Sequence, residues 1–217
     1  GKDDSYALTT PLITKTDGGK FGKTEDGNVW LDEKKTSPYK FYQFWINVSD
    51  DDAFNFIKIF SLESKNKIEK LIGLHIKDPH LRILQKFLAD EITILVHGKS
   101  NLEVAKKTSK ILFGKSEYED LIKMNEIELE SLSSAVPCVT IKRSNLSNSL
   151  TSILSEDSKN QIFKSKSDVR RMINNNGLSI NKKKITDEKY NVSENLLLNK
   201  FILLQKGKKH YTFIIVE

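Results

Sequence analysis

The sequence predicts a multidomain chain: a small α/β piece, an all-α helical bundle, and then a small α+β module. Three observations predict it. Helix punctuation is dense between residues 37 and 114. Short apolar strands separated by Asn, Lys and Gly turns close the chain. All the excess positive charge lies in the last third: Ser144 to Glu217 carries 13 Lys/Arg against 7 Asp/Glu, while the whole chain nets +6. With 217 residues the chain is long enough for one to two domains with real cores. At 38% apolar and 29% charged residues it is globular in composition.

Residues 1–36 read as strand, loop and short strand. Tyr6–Ile13 has strand character, and Val29-Trp30-Leu31 is the second short strand. Between them runs a Gly-rich, Lys-bearing loop from Thr14, with turn signals at Asp17-Gly18 and Asp26-Gly27. Lys20 and Lys23 flank Gly22, and Thr24 follows. Two ammonium groups on a mobile backbone suit a polyphosphate, whose growing charge they can neutralise. Taken alone, the same residues also fit an ordinary solvated turn. The spacing is not that of a Walker loop. This opening piece is too small to bury a core by itself, and the chain starts abruptly without Met, which reads as a piece of something longer.

Residues 37–114 read as five short helices. Ser37-Pro38 is a cap with Pro at the first helical position, leading into an aromatic-rich segment, Tyr39 to Ile46. Ser49 caps Asp50-Asp51-Asp52, with Ala53, Phe56, Ile57 and Phe60 on one face. Ser64 opens a third helix and Asp78-Pro79 a fourth, which Gly98 stops. Ser100-x-x-Glu103 starts a fifth, ending at Gly114. The aromatic stripe is core rather than a cofactor box. Residues 115–143 form a linker, acidic and then Ser-rich, with a helical section and a short strand at Cys138–Ile141.

Residues 144–217 form the basic α+β module. Leu146, Leu150, Ile153 and Leu154 mark one helix. Ser165 to Ile173 marks a second, capped by Ser167, with Arg170 and Arg171 turned largely away from its inward face. One hairpin turns around Asn181-Lys182-Lys183, the other around Gln205 to Lys209. Lys166, Arg170, Arg171, Lys182, Lys183, Lys208 and Lys209 are therefore the candidate phosphate-reading residues, nucleic acid being the first choice of partner. Few aromatics lie among them, which favours backbone contacts over base stacking. A lone cysteine and four scattered histidines leave no zinc-ligand spacing, so no metal is expected. His97, beside Leu95 and Val96, reads as a packed core histidine. No apolar run approaches the ~20 residues of a membrane span, and a reducing cytoplasm suits the single thiol.

Together these segments resemble bacterial-type tyrosyl-tRNA synthetases, class I aminoacyl-tRNA synthetases. Pro11 to Thr24 is similar to that family's strand entering its K-M-S-K-S-type loop, here Lys20-Phe21-Gly22-Lys23-Thr24. Val29 to Asp32 and Lys35 to Asn47 are similar to its entry into the helical anticodon-binding region. Leu95 to Gly98 and Gly207 to Tyr211 also fit. Residues 165–187 resemble the RNA-binding module shared with ribosomal small-subunit protein four, with Asn181-Lys182 where that pattern usually has Asn-Gly.

The resemblance implies that this is the C-terminal half of the enzyme. Residues 1–36 would then be the C-terminal edge of a nucleotide-binding catalytic domain, 37–114 the helical anticodon-binding domain, 115–143 a linker and 144–217 the RNA-binding module. It implies ATP, as Mg-ATP, held with Lys20, Gly22 and Lys23, and pyrophosphate stabilised by Lys20, Lys23 and Thr24. It implies tyrosine and tRNA(Tyr) as partners, a homodimer through the catalytic domain, no membrane, and an isolated chain that is inactive because nothing positions the amino acid. The competing expectation is a non-catalytic RNA-binding protein in which only the basic module works.

Overall fold

The computed structural model describes residues 6–24, 27–208 and 210–217. About half of the chain is helical, with a small mixed sheet towards the C-terminus. Its contacts form two compact units, 1–36 with 41–98, and 37–40 with 99–217.

In the first unit, β1 (Lys23–Thr24) and β2 (Gly27–Asn28) form a two-stranded ribbon. The second strand thus lies just before Val29-Trp30-Leu31, the expected one. Tyr6–Ile13 forms no strand: among the described residues it has no neighbouring strand to complete a ladder, and Tyr6 and Leu8 are fully exposed.

Helix α1 (Pro38–Ile46) begins at the Pro as expected. Helix α2 (Asp50–Phe60) is capped by Ser49, whose hydroxyl accepts the Asp52 N–H, and three aspartates occupy its positive first turn. Helix α3 (Lys65–Lys77) follows Ser64. The expected fourth helix does not open at Asp78-Pro79. Pro79–Leu81 is a single 3-10 turn, Arg82 takes a left-handed conformation, and α4 starts at Ile83. The reason is the Arg82 guanidinium, which donates to the carbonyls of Ile46 and Val48 at 2.7 and 3.0 Å and ties down the end of α1. Helix α4 (Ile83–Phe113) is interrupted at Gly98, whose φ of 81° and ψ of 165° leave the helical region. That is the expected stop, with a second helical run directly behind it.

The core of this unit is aromatic. Phe41, Trp45 and Phe56 are buried with Ile57, Leu84 and Leu88, and Trp45 meets Phe56 and Phe60 edge-on at 6.2 and 5.2 Å. Burying one such side chain contributes about 1.5–3 kcal/mol. His97 is half-buried edge-on to Phe41 at 4.7 Å, and burial lowers its pKa although Glu33 opposes the shift.

The second unit holds α5 (Tyr118–Ile122) and α6 (Glu126–Ala135), both with reciprocal capping boxes. They occupy the stretch read from sequence as a linker with a helical section, and Leu121, Met124, Leu129 and Leu132 are buried there. Strand β3 (Cys138–Ile141) falls where expected. The helix expected from Leu146 to Leu154 is divided. A 3-10 turn spans Arg143–Ser147, and Ser149 caps the short α7 (Leu150–Leu154). All four marker residues are nevertheless buried.

Helix α8 (Lys166–Asn174) is capped by Ser165, not Ser167. The Ser165 hydroxyl bonds both the N–H and the carboxylate of Asp168, and Val169 and Ile173 face the core. Strands β4 (Leu178–Ile180), β5 (Lys183–Lys184), β6 (Phe201–Lys206) and β7 (His210–Val216) complete a sheet of order β3-β7-β6-β4-β5. β3 runs parallel to β7 and the other pairs are antiparallel. Gly177, just after α8, passes so close to Met172 that a Cβ would run into its sulfur.

Burial raises the phenols of Tyr39 and Tyr42 to about 12, with the Asp90 charge adding to the effect at Tyr42. A group that folding holds neutral stabilises fully below its unfolded pKa, about 10 for Tyr. That stability is lost as pH rises through 12. A phenolate absorbance titration should therefore show two of the six tyrosines ionising last, together with unfolding. Ionisation of all six near pH 10 in a still folded chain would contradict the buried placement.

Candidate functional site

The loop from Thr14 is built by local hydrogen bonds. Gly18 N–H donates to the Lys15 carbonyl at 3.0 Å, Lys15 N–H to the Gly19 carbonyl at 2.9 Å, and Gly19 N–H to the Asp17 carboxylate at 2.7 Å. A bridge between Thr14 and Lys20 closes this turn and delivers Lys20, which is exposed, to its far end.

Phe21 then turns inward. Its ring lies 4.9–5.8 Å from those of Phe44, Trp45, Phe56 and Phe60. Gly22, at φ 77°, reverses the backbone and accepts the Val29 N–H at 2.8 Å. At that φ a side chain would be strained, so glycine is required by conformation and not by space. The strand pair places Lys23 and Thr24 directly afterwards. Their side chains, and Glu25 and Asp26, lie outside the described structure.

A second pin holds the turn to α2: the Thr16 N–H and hydroxyl both donate to Asp52 Oδ1, at 2.8 and 3.1 Å. Beside Lys20 is an open pocket of about 550 Å³, lined by Leu12, Ile13, Phe21, Gly22, Val29 and Trp30 among others. A cation at the rim of an apolar-walled hollow can hold an anionic group against a low-dielectric surface. The loop is thus anchored at Thr16 and Phe21, with Lys20 at its exposed end. Sequence reasoning missed both anchors. Phe21, an apolar residue inside a cationic loop, was the available signal.

The basic module presents its cations differently from the sequence expectation. Arg170 Nε donates to Glu188 at 2.8 Å, Arg171 pairs with Asp168, and Lys166 lies 2.8 Å from Glu156. These are surface pairs. Exposed pairs contribute about 0–1 kcal/mol, so an incoming phosphate can replace the carboxylate. Arg171 keeps 73% of its side chain in solvent.

Lys182 is turned inward, donating to the Ile111 carbonyl and the Tyr211 hydroxyl. Lys183 lies 3.6 Å from the centroid of the Tyr118 ring. Lys208 is exposed next to Gly207, and Lys209 lies outside the described residues. Lys206, not anticipated, donates to the Ile162 carbonyl at 2.8 Å. Among the described residues, no group of three or more His, Cys, Asp or Glu could hold a metal ion, and no helix is long and apolar enough to cross a membrane.

The family described as class I tRNA synthetases (W and Y) matches residues 1–114, the segment containing this loop and the aromatic helices. The chain belongs to that family. Residues 128–214 match the SYY-like C-terminal domain of tyrosine–tRNA ligases. Curated tyrosine–tRNA ligases are similar across nearly the whole chain. That of Cytophaga hutchinsonii is 51% identical over 95% of this chain and 49% of its own length. That of Flavobacterium johnsoniae is 49% identical over 98% and 49%. A solved, C-terminally truncated mitochondrial tyrosyl-tRNA synthetase from Coccidioides posadasii is 38% identical over 46% of this chain and 26% of its own, with a TM-score of 0.40.

The chain spans about half the length of the curated relatives it matches. Within this class I synthetase chain, the first matched segment carries Lys20 to Thr24 and the second carries every residue from Lys166 to Lys209.

Proposed function

We propose that this chain supplies the pyrophosphate-stabilising loop and the tRNA-binding part of a tyrosine–tRNA ligase, the C-terminal half of an enzyme that forms tyrosyl-adenylate and transfers tyrosine to tRNA(Tyr). The observation that carries the reading is the tandem match: a class I synthetase segment over 1–114 followed by a tyrosine–tRNA ligase C-terminal domain over 128–214.

In the reaction, a tyrosine carboxylate oxygen bonds to the α-phosphorus of ATP and the bond to the bridging oxygen breaks. Negative charge grows on the departing pyrophosphate. Lys20, Lys23 and the Thr24 hydroxyl supply positive charge and a donor there, with Gly22 letting the backbone approach. A cation that binds the leaving group more tightly in the transition state than in the ground state lowers the barrier. ATP enters as its magnesium complex. Residues 1–36 edge the catalytic domain, 37–114 serve the anticodon end of the tRNA, 115–143 connect, and 144–217 bind RNA. The whole protein works in the cytoplasm as a homodimer joined through its catalytic domain.

The deciding experiment is tyrosine-dependent ATP–pyrophosphate exchange by the full-length protein, with none expected from the 217-residue chain alone. Exchange that depends on tryptophan and ignores tyrosine would refute the assignment.

On the RNA side, Lys166, Arg170, Arg171, Lys183, Lys208 and Lys209 are the proposed phosphate contacts. Arg171→Gln should weaken tRNA(Tyr) binding by the 217-residue chain and make the slope of log K against log salt shallower by about 0.7–0.9, the share of one phosphate contact. An unchanged slope would remove Arg171 from the interface.

A further inference from the structure

We propose that Lys182 is a positioning residue. It docks the β4–β5 turn onto the C-terminal end of α4 and thereby sets the stance of the Arg170/Arg171 face, instead of touching RNA itself. The binding arm of its test rests on the RNA reading above; the docking itself does not.

The backbone supplies the first observation. Asn181 and Lys182 have φ of 49° and 67°, and Ile180 pairs with Lys183, so the turn has two residues, both left-handed. This is the type I′ hairpin turn, whose second position glycine fills without steric cost. A lysine there accepts strain, and its side chain shows a compensating contact. The ammonium donates to the Ile111 carbonyl at 2.6 Å and to the Tyr211 hydroxyl at 2.8 Å.

Ile111 is in the last turn of α4, where carbonyls lack helical partners and the helix end is negative. The Ser116 hydroxyl shares that carbonyl at 3.0 Å. The ammonium has three donors, and two are spent inside the protein. The neighbouring Lys183, over the Tyr118 ring of α5, adds a second tie from the same hairpin to the next helix.

The consequence follows from chain continuity. α8 runs through Gly177 into β4, and Glu188, just beyond β5, holds Arg170. Turn, strands and α8 therefore form one block, and fixing the turn on α4 fixes where Arg170 and Arg171 stand.

The test is hydrogen exchange on the whole 217-residue chain, with tRNA(Tyr) binding measured in parallel. In Lys182→Met the amides of Asn181–Ile185 should exchange at least about tenfold faster through local opening, with the melting temperature still showing a folded chain. Lys182→Arg, which keeps a cation of similar reach, should restore protection. Lys182→Gly should fail to restore it despite having the better turn residue. Tyr211→Phe, which removes one acceptor and keeps the ring, should fall between.

Binding of tRNA(Tyr) by Lys182→Met should weaken about threefold to tenfold through lost preorganisation, with an unchanged salt slope. Unchanged exchange rates in Lys182→Met would overturn the proposal, as would a slope shallower by about 0.7–0.9 with normal protection, which marks a direct phosphate contact. If the wild-type chain binds no tRNA, the RNA reading fails and the exchange measurements still decide the docking.

Discussion

Replacing Lys23 by Ala in the full-length protein should lower tyrosine-dependent ATP–pyrophosphate exchange by about 10²–10³-fold, through kcat with KM little changed. The size follows from removing one preorganised donor aimed at developing charge, worth about 2.7–4 kcal/mol. The split between constants follows from where the charge appears. ATP already carries its charge on the β and γ phosphates in the ground state, and the bridging oxygen gains more only as its bond to the α-phosphorus breaks. An ammonium that meets this growth contributes to kcat and kcat/KM alike.

The local build supports the assignment to this loop. Lys20 is fixed at the exposed end of a closed turn, Gly22 supplies a reversal at φ 77°, and Lys23 follows at once in β1. Lys23→Arg keeps the charge with a larger, planar head, and should retain part of the rate. Equal exchange by wild type and Lys23→Ala would end the loop's catalytic role. A raised KM at constant kcat would make it a ground-state ATP contact only.

Much of the helical half was legible because caps are local. Ser37-Pro38, Ser49 and the Gly98 interruption depend on residues one to four apart, and the backbone obeys them. The β6–β7 hairpin was legible for the same reason. What could not be read depends on partners distant in sequence. Arg82 delays α4 because of carbonyls 34 and 36 residues away. Lys182 reads as a free surface cation until Ile111, 71 residues earlier, is placed beside it. Phe21 reads as part of a phosphate loop until four rings from two helices surround it. In the candidate site, sequence located the cations and missed what anchors or occupies them. Charge composition counts groups, and it is blind to the carbonyls and carboxylates they already meet.

The second large effect should come from Asn181→Ala, which is expected to destabilise the second unit by about 3 kcal/mol. Asn181 is 1% exposed and is the only asparagine among the described buried polar residues. Its Oδ1 accepts the Leu203 N–H at 2.8 Å and its Nδ2 donates to the Asn195 carbonyl at 2.6 Å. Alanine leaves the buried Leu203 N–H without its partner, at about 1–3 kcal/mol for an unsatisfied group, and also takes the donor from the carbonyl of half-buried Asn195. It also places a Cβ residue without a local polar side chain at φ 49°, adding about 1 kcal/mol.

Asn181→Gly separates the two terms. It removes the conformational cost and keeps the loss of both side-chain bonds, so it should recover about 1 kcal/mol relative to alanine and no more. Urea unfolding followed by a probe in the second unit reads both, since the two units need not unfold together. Stability of Asn181→Ala within about 0.5 kcal/mol of wild type, the range of an ordinary surface substitution, would mean that the turn does not depend on this side chain. Full recovery in Asn181→Gly would assign the whole effect to backbone strain and none to the bonds with Leu203 and Asn195.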